Sequence, residues 1–576
     1  MTKIKLLTLT FCSILICGCS LFTTGTTPQK TTVTVNTSGT GHVYLVKTNT
    51  STQKTIQGRN TGSIESVVSR SAGVDELELS ALREDLFIQK QNEEIREALS
   101  RISDGARSAG DNVDLNHIGT GYSSLNYSKG DSAQFYSFSE GIANGNMLEG
   151  ISHLLNATCY YAGEHCYVFG DDSEKNGAKK NQGIDLNYSS YSTDATESEN
   201  SFFKLGKIFD ECYELETSII GDPTYENYHD NIFIPCNKKI IIFVSDLYGD
   251  AKEGQDSGVV GYFYNGDMYK KSFMNNYVNI DDNGKPISEF VYDNKGNLQP
   301  NTNFKNTNEM AMFYVDSNFL TNCPENVYTT LVHEFNHMIN YVVKTLNYST
   351  THNKIRSLDQ WFTELLAMVT EDMFCSYLET PYNYSPMSRL PLFNLFYNYG
   401  FTNWKSYTVA GTNGLDSLYV SYANTYAFGA YLARNYGGVD LIKEIATSDY
   451  INKDAIDRAL KNRGSSYDEA LGNFPLVIIN TAKPNSTQLA QPLTSEKYYF
   501  SLNRSAKKTG DELFFDAIEI GKLKLGDQTY APRIFKKAET VDLGPQGFSV
   551  HYVGYNIKSF ELTANVSDLM DYYLVE

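Results

Sequence analysis

The stretch LVHEFNHMINY, residues 331–341, places two of the chain's nine histidines four positions apart, with a glutamate directly after the first. Residues four apart lie on one face of a helix, so His333 and His337 can present two imidazoles to one metal ion. Glu334 would lie beside that ion without binding it. Hydrolysis needs this arrangement, because zinc lowers the pKa of a bound water to about 7 while a neighbouring carboxylate takes its proton. The alternative is an ordinary helix whose histidines bond to backbone or carboxylate partners.

A third ligand must come from elsewhere, because two histidines alone do not hold a catalytic zinc. A metzincin would have glycine and histidine where Asn340 and Val343 stand, which excludes that class. A gluzincin needs a glutamate on a second helix, and SLDQWFTELLAMVTED (357–372) supplies Glu364. Zinc would offset the cost of burying this carboxylate among apolar neighbours, whereas the alternative is a helix glutamate that reaches solvent.

Ser357 and Gln360 resemble a capping box, which predicts that the second helix opens at this point. Asp359, near the predicted cap, and Glu371 are weaker candidates for the third ligand. Glu371 or Asp372 could also accept the free N–H of a ligand histidine.

Together, TLVHEFNHMINYVV and WFTELLAMVTED resemble the hyicolysin family of gluzincin metallopeptidases, whose pattern is close to H-E-F-Q-H-M-I-N followed by W-x-N-E-G-x-[SA]. The likeness extends upstream through GEHCYVF, IFDECYE, GYF and NEMAMFYVD, and covers most of residues 155–480. The resemblance implies a zinc endopeptidase with one Zn²⁺ held by His333, His337 and Glu364, and with Glu334 as the general base.

The chain departs from the family pattern at Asn336, Thr363 and Leu365. None of these positions is a ligand, but the last two flank Glu364 and so affect how that carboxylate is held.

The tetrahedral intermediate of peptide hydrolysis needs a hydrogen-bond donor besides the metal. SYANTYAFGAYL (421–432) offers Tyr426, in a Y-x-x-G-A setting like that of gluzincin aminopeptidases, where the tyrosine has this role. Tyr422 is the alternative, and a packing phenol is equally consistent in a chain with 42 tyrosines. NEMAMFYVD (308–316) could be the edge strand on which a substrate backbone pairs, or a buried strand of the sheet.

Length and composition predict an α+β chain of two to four domains, with 576 residues, 42 Gly and 42 Tyr. The net charge of -20 would repel phosphate backbones, so no nucleic acid partner is expected. Three folded parts are predicted. They are a β-rich module (41–195) with one surface helix in 74–101, a gluzincin-type metallopeptidase domain (196–483) with a mixed sheet and a mainly helical active-site half, and a β-rich C-terminal module (484–576).

The N-terminus resembles a secretion signal, with Lys3 and Lys5 before a short apolar run, and residues 1–18 are expected to be removed. LICGC (15–19) resembles the lipobox of bacterial lipoproteins, in which Cys19 would receive a diacylglycerol and become the new N-terminus. Residues 19–40 would form a flexible tether. The predicted location is the cell envelope or surface, at the outer membrane if the cell has one, and the alternative is a plain secretory signal.

Six further cysteines permit three disulfides in an exported chain. Cys159 with Cys166 and Cys212 with Cys236 are the simplest local pairs, and buried free thiols are the alternative. The six are Cys159, Cys166, Cys212, Cys236, Cys323 and Cys375.

The sequence therefore predicts a membrane-tethered extracytoplasmic zinc metalloprotease that cleaves a protein or peptide. A rival from another class is a non-catalytic surface lipoprotein that binds a host or envelope ligand and has a degenerate or structural metal site. The sequence leaves open the substrate, the oligomeric state, the choice between endopeptidase and aminopeptidase, and whether the N-terminal module is a removable propeptide.

Overall fold

The computed structural model describes residues 2–4, 30–61, 63–64, 86–103, 115, 117–144, 147–186, 200–252, 258–292, 295–402, 404, 417–481, 513, 515–565 and 569–576. The predicted lipidation site, Cys19, lies outside these residues. Within them, no helix combines the length and the apolar character needed to cross a membrane.

The described residues form a mixed α and β structure. The strands are β1 (Thr2–Ile4), β2 (Lys30–Asn36), β3 (His42–Asn49), β4 (Ser63–Ile64), β5 (Ile118–Thr120), β6 (Ser132–Asn144), β7 (Met147–Ala162), β8 (Cys166–Asp171), β9 (Asn227–His229), β10 (Ile240–Ser245), β11 (Gly261–Tyr262), β12 (Phe290–Tyr292), β13 (Leu298–Pro300), β14 (Met312–Asp316), β15 (Lys524–Leu525), β16 (Gln528–Thr529), β17 (Phe535–Lys536), β18 (Phe548–Tyr555), β19 (Ser559–Asn565) and β20 (Met570–Val575).

The α-helices are concentrated between residues 317 and 481. They are α1 (Leu86–Ser103), α2 (Ser201–Ile220), α3 (Lys271–Phe273), α4 (Ser317–Asn322), α5 (Pro324–Tyr341), α6 (Asn347–His352), α7 (Gln360–Phe374), α8 (Leu390–Phe396), α9 (Ser417–Tyr436), α10 (Gly438–Thr447), α11 (Asn452–Lys461), α12 (Tyr467–Asn473) and α13 (Leu476–Thr481).

A six-stranded sheet in the order β11-β14-β10-β8-β7-β6 supports the helical half. Its central strand β10, IIIFVS, is buried throughout and pairs in parallel with β8 and β14, as a continuous apolar run predicts. β14 is an inner strand, and the edge next to it is β11, which pairs antiparallel. The sheet joins β6, β7 and β8 to strands beyond residue 196, so its pairing crosses the predicted boundary between residues 195 and 196.

The three helices α5, α7 and α9 lie side by side, and α5 also packs on α2. Pro324 stands in the first turn of α5, where its missing N–H costs no hydrogen bond. Gly429 is the glycine of the Y-x-x-G-A sequence on α9. A larger residue would not fit at this position, because its Cβ would lie 2.5 Å from Val369 Cγ2 on α7. Glycine thus lets α9 approach α7 closely.

A second, five-stranded sheet combines the two ends of the chain in the order β1-β20-β3-β18-β17. β3 lies between β18 and β20, and β2 pairs with β19. Residues 30–36 of the predicted tether therefore form a strand, because the alternating Thr and Val of KTTVTVN suit a pleated sheet better than a flexible linker. Thr2–Ile4 of the predicted signal pair with Tyr572–Leu574.

The described cysteines are buried free thiols, so the expected local disulfides are not formed. In the pairing of β7 with β8, Cys159 stands opposite Phe169 rather than Cys166, which explains why the simplest pair does not form. Burial raises the pKa of the Cys159 thiol to about 12, which keeps it protonated.

Candidate metal centre and cleft

Helix α5 brings the two motif histidines together on one face. The Nε2 atoms of His333 and His337 lie 3.0 Å apart, and both side chains are largely buried. The two rings approach edge to face with centroids 4.7 Å apart. The i, i+4 spacing therefore places both imidazole nitrogens at one point.

Helix α7 adds the predicted glutamate at the same point. Glu364 Oε2 lies 3.4 Å from His333 Nε2, and Glu364 Oε1 lies 3.6 Å from His337 Nε2. The three side chains can offer ligand atoms that all lie within 4.8 Å of one another. Glu364 is only 2% exposed, so its carboxylate is held inside the helical half rather than directed to solvent.

The start of α7 differs from the predicted capping box. The helix begins at Gln360, its N-cap residue is Asp359 in an extended conformation, and Ser357 lies outside it. The Asp359 carboxylate accepts a hydrogen bond from Trp361 Nε1 at 3.2 Å and caps no backbone N–H of the helix. Gln360 instead donates from Nε2 to Glu364 Oε1 at 2.7 Å.

The donor set fits a divalent metal, and zinc in particular. Two imidazole nitrogens and one carboxylate oxygen are the three ligands of an open catalytic zinc site. Glu364 Oε2 is buried and has no hydrogen-bond partner, although Oε1 is bound by Gln360. A buried, unsatisfied carboxylate oxygen beside the Nε2 atom of His333 is costly unless a cation binds there.

Electrostatics favour positive charge at the same point. Burial lowers the pKa of His337 to about 4, against the opposing effect of Glu364, so this imidazole is neutral at pH 7 and keeps a lone pair. Burial also acts to lower the pKa of His333, but the carboxylates of Glu371 and Glu364 outweigh it and raise that pKa well above its ordinary value. The carboxylates that favour a proton on His333 would also favour a metal cation at this point.

Glu371 orients the first histidine. Its Oε2 lies 3.3 Å from His333 Nδ1, and Glu371 stands two helical turns beyond Glu364 on α7. A carboxylate at Nδ1 fixes the tautomer that leaves Nε2 free for a metal. Of the two residues considered for this contact, Asp372 does not make it, because Arg434 binds its carboxylate through two nitrogens at 2.7 and 3.0 Å.

Glu334 is held at the border of the sheet. Its Oε2 accepts a hydrogen bond from the backbone N–H of Phe263, just beyond β11, at 2.7 Å. The predicted base therefore lies beside the metal ligands with one oxygen fixed by the edge strand. Sequence reasoning did not identify this contact, although GYF was among the stretches that carried the family resemblance.

The structure does not bring Tyr426 to this site. Tyr426 is fully buried, and its hydroxyl donates to Asp372 Oδ2 at 3.0 Å, within the ion pair with Arg434. The alternative, Tyr422, lies one turn earlier on α9 and lines the cleft. Burial, with the nearby Glu364 and Glu334 carboxylates, raises the pKa of Tyr422 well above its usual value, so it remains a hydrogen-bond donor.

A cleft of about 770 Å³ opens over these residues. Its walls are formed by α5, α7, the edge strand β11, the start of α9 and, unexpectedly, the polar side of α1. Residues that line it include His333, Glu334, His337, Glu364 and Tyr422. The volume is within the range of sites that enclose a small ligand or several residues of a peptide.

Comparison with known proteins supports a metal-dependent peptidase. Residues 275–492 match the family model described as Peptidase M30. The chain is also 24% identical over 265 residues to the neutral metalloprotease ShpI of Staphylococcus hyicus, a match that covers 42% of this chain and 56% of that protein. The chain thus spans little more than half the length of that curated relative. Both likenesses support a metallopeptidase of the M30, or hyicolysin, family, and such a family implies a bound metal.

Proposed function

We propose that this protein is a zinc-dependent protease of the gluzincin type that hydrolyses peptide bonds outside the cytoplasm. The observation that carries the proposal is the meeting of the Glu364 carboxylate, whose Oε2 is left without a hydrogen-bond partner, with the Nε2 atoms of His333 and His337. Glu334 lies beside this set, as a general base must.

The N-terminal pattern further supports attachment to the membrane through a lipid on Cys19. Partitioning of the mature chain into detergent, compared with that of the Cys19→Ser variant, checks this attachment.

Zinc held by His333, His337 and Glu364 would supply Lewis acidity, polarising the scissile carbonyl and making a water molecule acidic enough to deprotonate near pH 7. Glu334 takes the proton from the attacking water and later delivers it to the leaving amine. The hydrogen bond from Phe263 N–H holds Glu334 Oε2 and so fixes the carboxylate beside the metal ligands. The base is thereby oriented before substrate binds.

Tyr422 is positioned to donate its phenolic proton toward the oxygen that becomes negatively charged. It lines the cleft near Glu364 and Glu334, and burial, together with both carboxylates, raises the pKa of the phenol and keeps it protonated. A donor aimed at developing charge contributes only in the transition state, so its effect falls on kcat. This assignment replaces the role that the sequence gave to Tyr426.

The substrate backbone would pair with β11. Val260 O accepts from Asp316 N at 2.8 Å, and the register then turns Tyr262 toward β14 and leaves Gly261 and Phe263 facing the cleft. An extended peptide could add to this edge as a further strand. Strand addition recognises the peptide backbone rather than particular side chains, which suits a protease that acts on unfolded protein.

Substitution of Glu334 by Gln tests the reaction most directly. The purified wild-type chain should hold about one zinc and cleave casein, and 1,10-phenanthroline should abolish cleavage. Because the variant keeps all three ligands, it should retain zinc while its cleavage rate falls at least about 1000-fold, an expected loss of at least about 4 kcal/mol of transition-state stabilisation.

Two results would contradict this proposal. Full activity of Glu334→Gln would rule out the general-base role. A wild-type chain without stoichiometric zinc and without chelator-sensitive proteolysis would favour the rival, a surface protein with a degenerate site that binds a ligand.

A further inference from the structure

Helix α1 lies over the cleft rather than on the open surface that its sequence pattern suggested. Its apolar residues Phe87 and Ile95 are buried in the protein, and Ile88 and Leu99 border the cleft. Its polar residues Gln89 and Asn92, together with Arg96 one turn further on, line the cleft that contains the metal ligands. The polar stripe at three- and four-residue steps therefore faces the site instead of solvent.

Asn92 occupies the pairing edge of β11. Its Nδ2 donates to Phe263 O at 3.2 Å, and its Oδ1 accepts from Asn265 N at 3.1 Å. The carbonyl of Phe263 faces the cleft, where a substrate strand would have to bond. With the Phe263 N–H already held by Glu334, Asn92 takes the remaining backbone group of that residue.

Gln89 engages the proposed oxyanion donor. Its Nε2 donates to the Tyr422 hydroxyl, and its Oε1 accepts from Trp404 Nε1 at 3.1 Å. The amide is therefore held at both ends against the phenol that the reaction needs. A substrate carbonyl that accepts the Tyr422 proton would have to lie beside this amide.

Arg96 reaches the residue that supports the third ligand. It donates to the backbone carbonyl of Leu358 and, at 3.2 Å, to Gln360 Oε1, whose amide nitrogen binds Glu364. One helix thus contacts the edge strand, the tyrosine and the support of a ligand. These are the features that a bound peptide would use.

We propose that α1 is a self-inhibitory segment that occupies the substrate position, and that peptide binding requires it to leave the cleft. The inference rests on the proposed function, because it identifies the substrate position from β11, Tyr422 and the metal ligands. An ion pair between Glu94 and Lys305 at 2.6 Å helps to hold the helix in place. Since polar contacts over a cleft contribute only about 1 kcal/mol each, removing two of them should loosen α1 without unfolding the protein.

The test uses the full-length zinc-loaded chain with Gln89→Ala and Asn92→Ala combined. Alanine preserves the helix, and neither substitution replaces a metal ligand, the base or Tyr422. Gln89→Ala removes a hydrogen bond that the Tyr422 oxygen accepts, and the phenol keeps its own proton. Cleavage of a fluorogenic peptide should rise at least tenfold in kcat/KM. The matched control is Lys90→Ala with Glu97→Ala, two exposed positions on the same helix, which should leave the rate unchanged. An unchanged or lower rate in the Gln89/Asn92 variant would make α1 a fixed wall of the cleft and overturn the inference.

A binding measurement separates this inference from the proposed reaction. A fluorescent phosphinic peptide, which needs no turnover, should bind the Gln89/Asn92 variant at least tenfold more tightly than the wild type, each in the Glu334→Gln background. Tighter binding without cleavage by any chain carrying Glu334 would support the role of α1 and contradict the protease function. Equal binding with normal cleavage would support the protease and contradict the role of α1, and equal binding without cleavage would contradict both.

Discussion

The two sides of the metal centre are built from different parts of the chain. On the buried side, Glu371 contacts His333, and Asp372 joins Arg434 and Tyr426, all within α5, α7 and α9. On the cleft side, Glu334 and Tyr422 have their partners on the edge strand and on α1. In the proposed reaction the buried side needs no rearrangement, and the Phe263 N–H continues to hold Glu334, whereas the α1 side chains lie where we propose that substrate enters. Groups on the buried side thus hold the centre, and our proposal assigns exchange with substrate to the side chains of α1.

The largest effect is expected on stability, when the buried ion pair between Asp372 and Arg434 is broken. Arg434→Met would leave the Asp372 carboxylate buried without its bidentate partner, which should lower the free energy of unfolding by about 3–5 kcal/mol. Urea denaturation of the zinc-loaded chain measures the loss. The double variant Arg434→Met/Asp372→Leu should recover much of it, because no buried charge is then unpaired. Equal losses in both variants would mean that packing, not charge, dominates here.

The next largest effect is expected on kcat, and it should distinguish the two tyrosines of α9, Tyr422 and Tyr426. Tyr422→Phe should reduce kcat about 100-fold with little change in KM, because it removes a donor used only in the transition state. Tyr426→Phe should instead leave kcat within a few-fold and lower stability by about 1 kcal/mol, since it removes one hydrogen bond to Asp372. Peptide cleavage and denaturation of both variants check this division. The opposite pattern would restore Tyr426 as the oxyanion donor.

The smallest effect is expected on zinc affinity, when the carboxylate that contacts the ligand His333 is changed. Glu371→Gln weakens the contact that orients His333 Nδ1 and should reduce zinc affinity about 10- to 100-fold. Competition with a chelating dye measures the dissociation constant. Glu325→Gln, at an exposed position in the first turn of α5, is the matched control. An unchanged zinc affinity in Glu371→Gln would show that helix packing alone orients the histidine.

The sequence predicted the contacts that depend on helical spacing. His333, Glu334 and His337 share one turn of α5, and the glutamate on a second helix is brought to them, because three- and four-residue periods specify a helix face locally. The choice between Tyr422 and Tyr426 could not be made in this way. Helix α9 is buried on nearly all sides, so no amphipathic pattern reveals which of its tyrosines faces the cleft.

Contacts between distant parts of the chain were harder to predict. The polar stripe of α1 was visible in the sequence, but a stripe facing solvent and one facing a cleft have the same pattern. Alternation in HVYLVKT (42–48) indicates a strand, but it does not identify the neighbouring strands β18 and β20. Because a strand's partner cannot be identified from its own sequence, the sequence predicted separate N-terminal and C-terminal modules, whereas strands from both pair in one sheet.

The position of β3 between β18 and β20 has a consequence for the order of folding. Val46 pairs with Val550 on one side and Tyr573 on the other, so this strand must wait, during synthesis, for nearly all of the chain. Contacts so distant in sequence close late and slowly. The same pairing means that one cut between β4 and α1 would sever the backbone without freeing the N-terminal strands, which would remain as a non-covalent part of the C-terminal sheet.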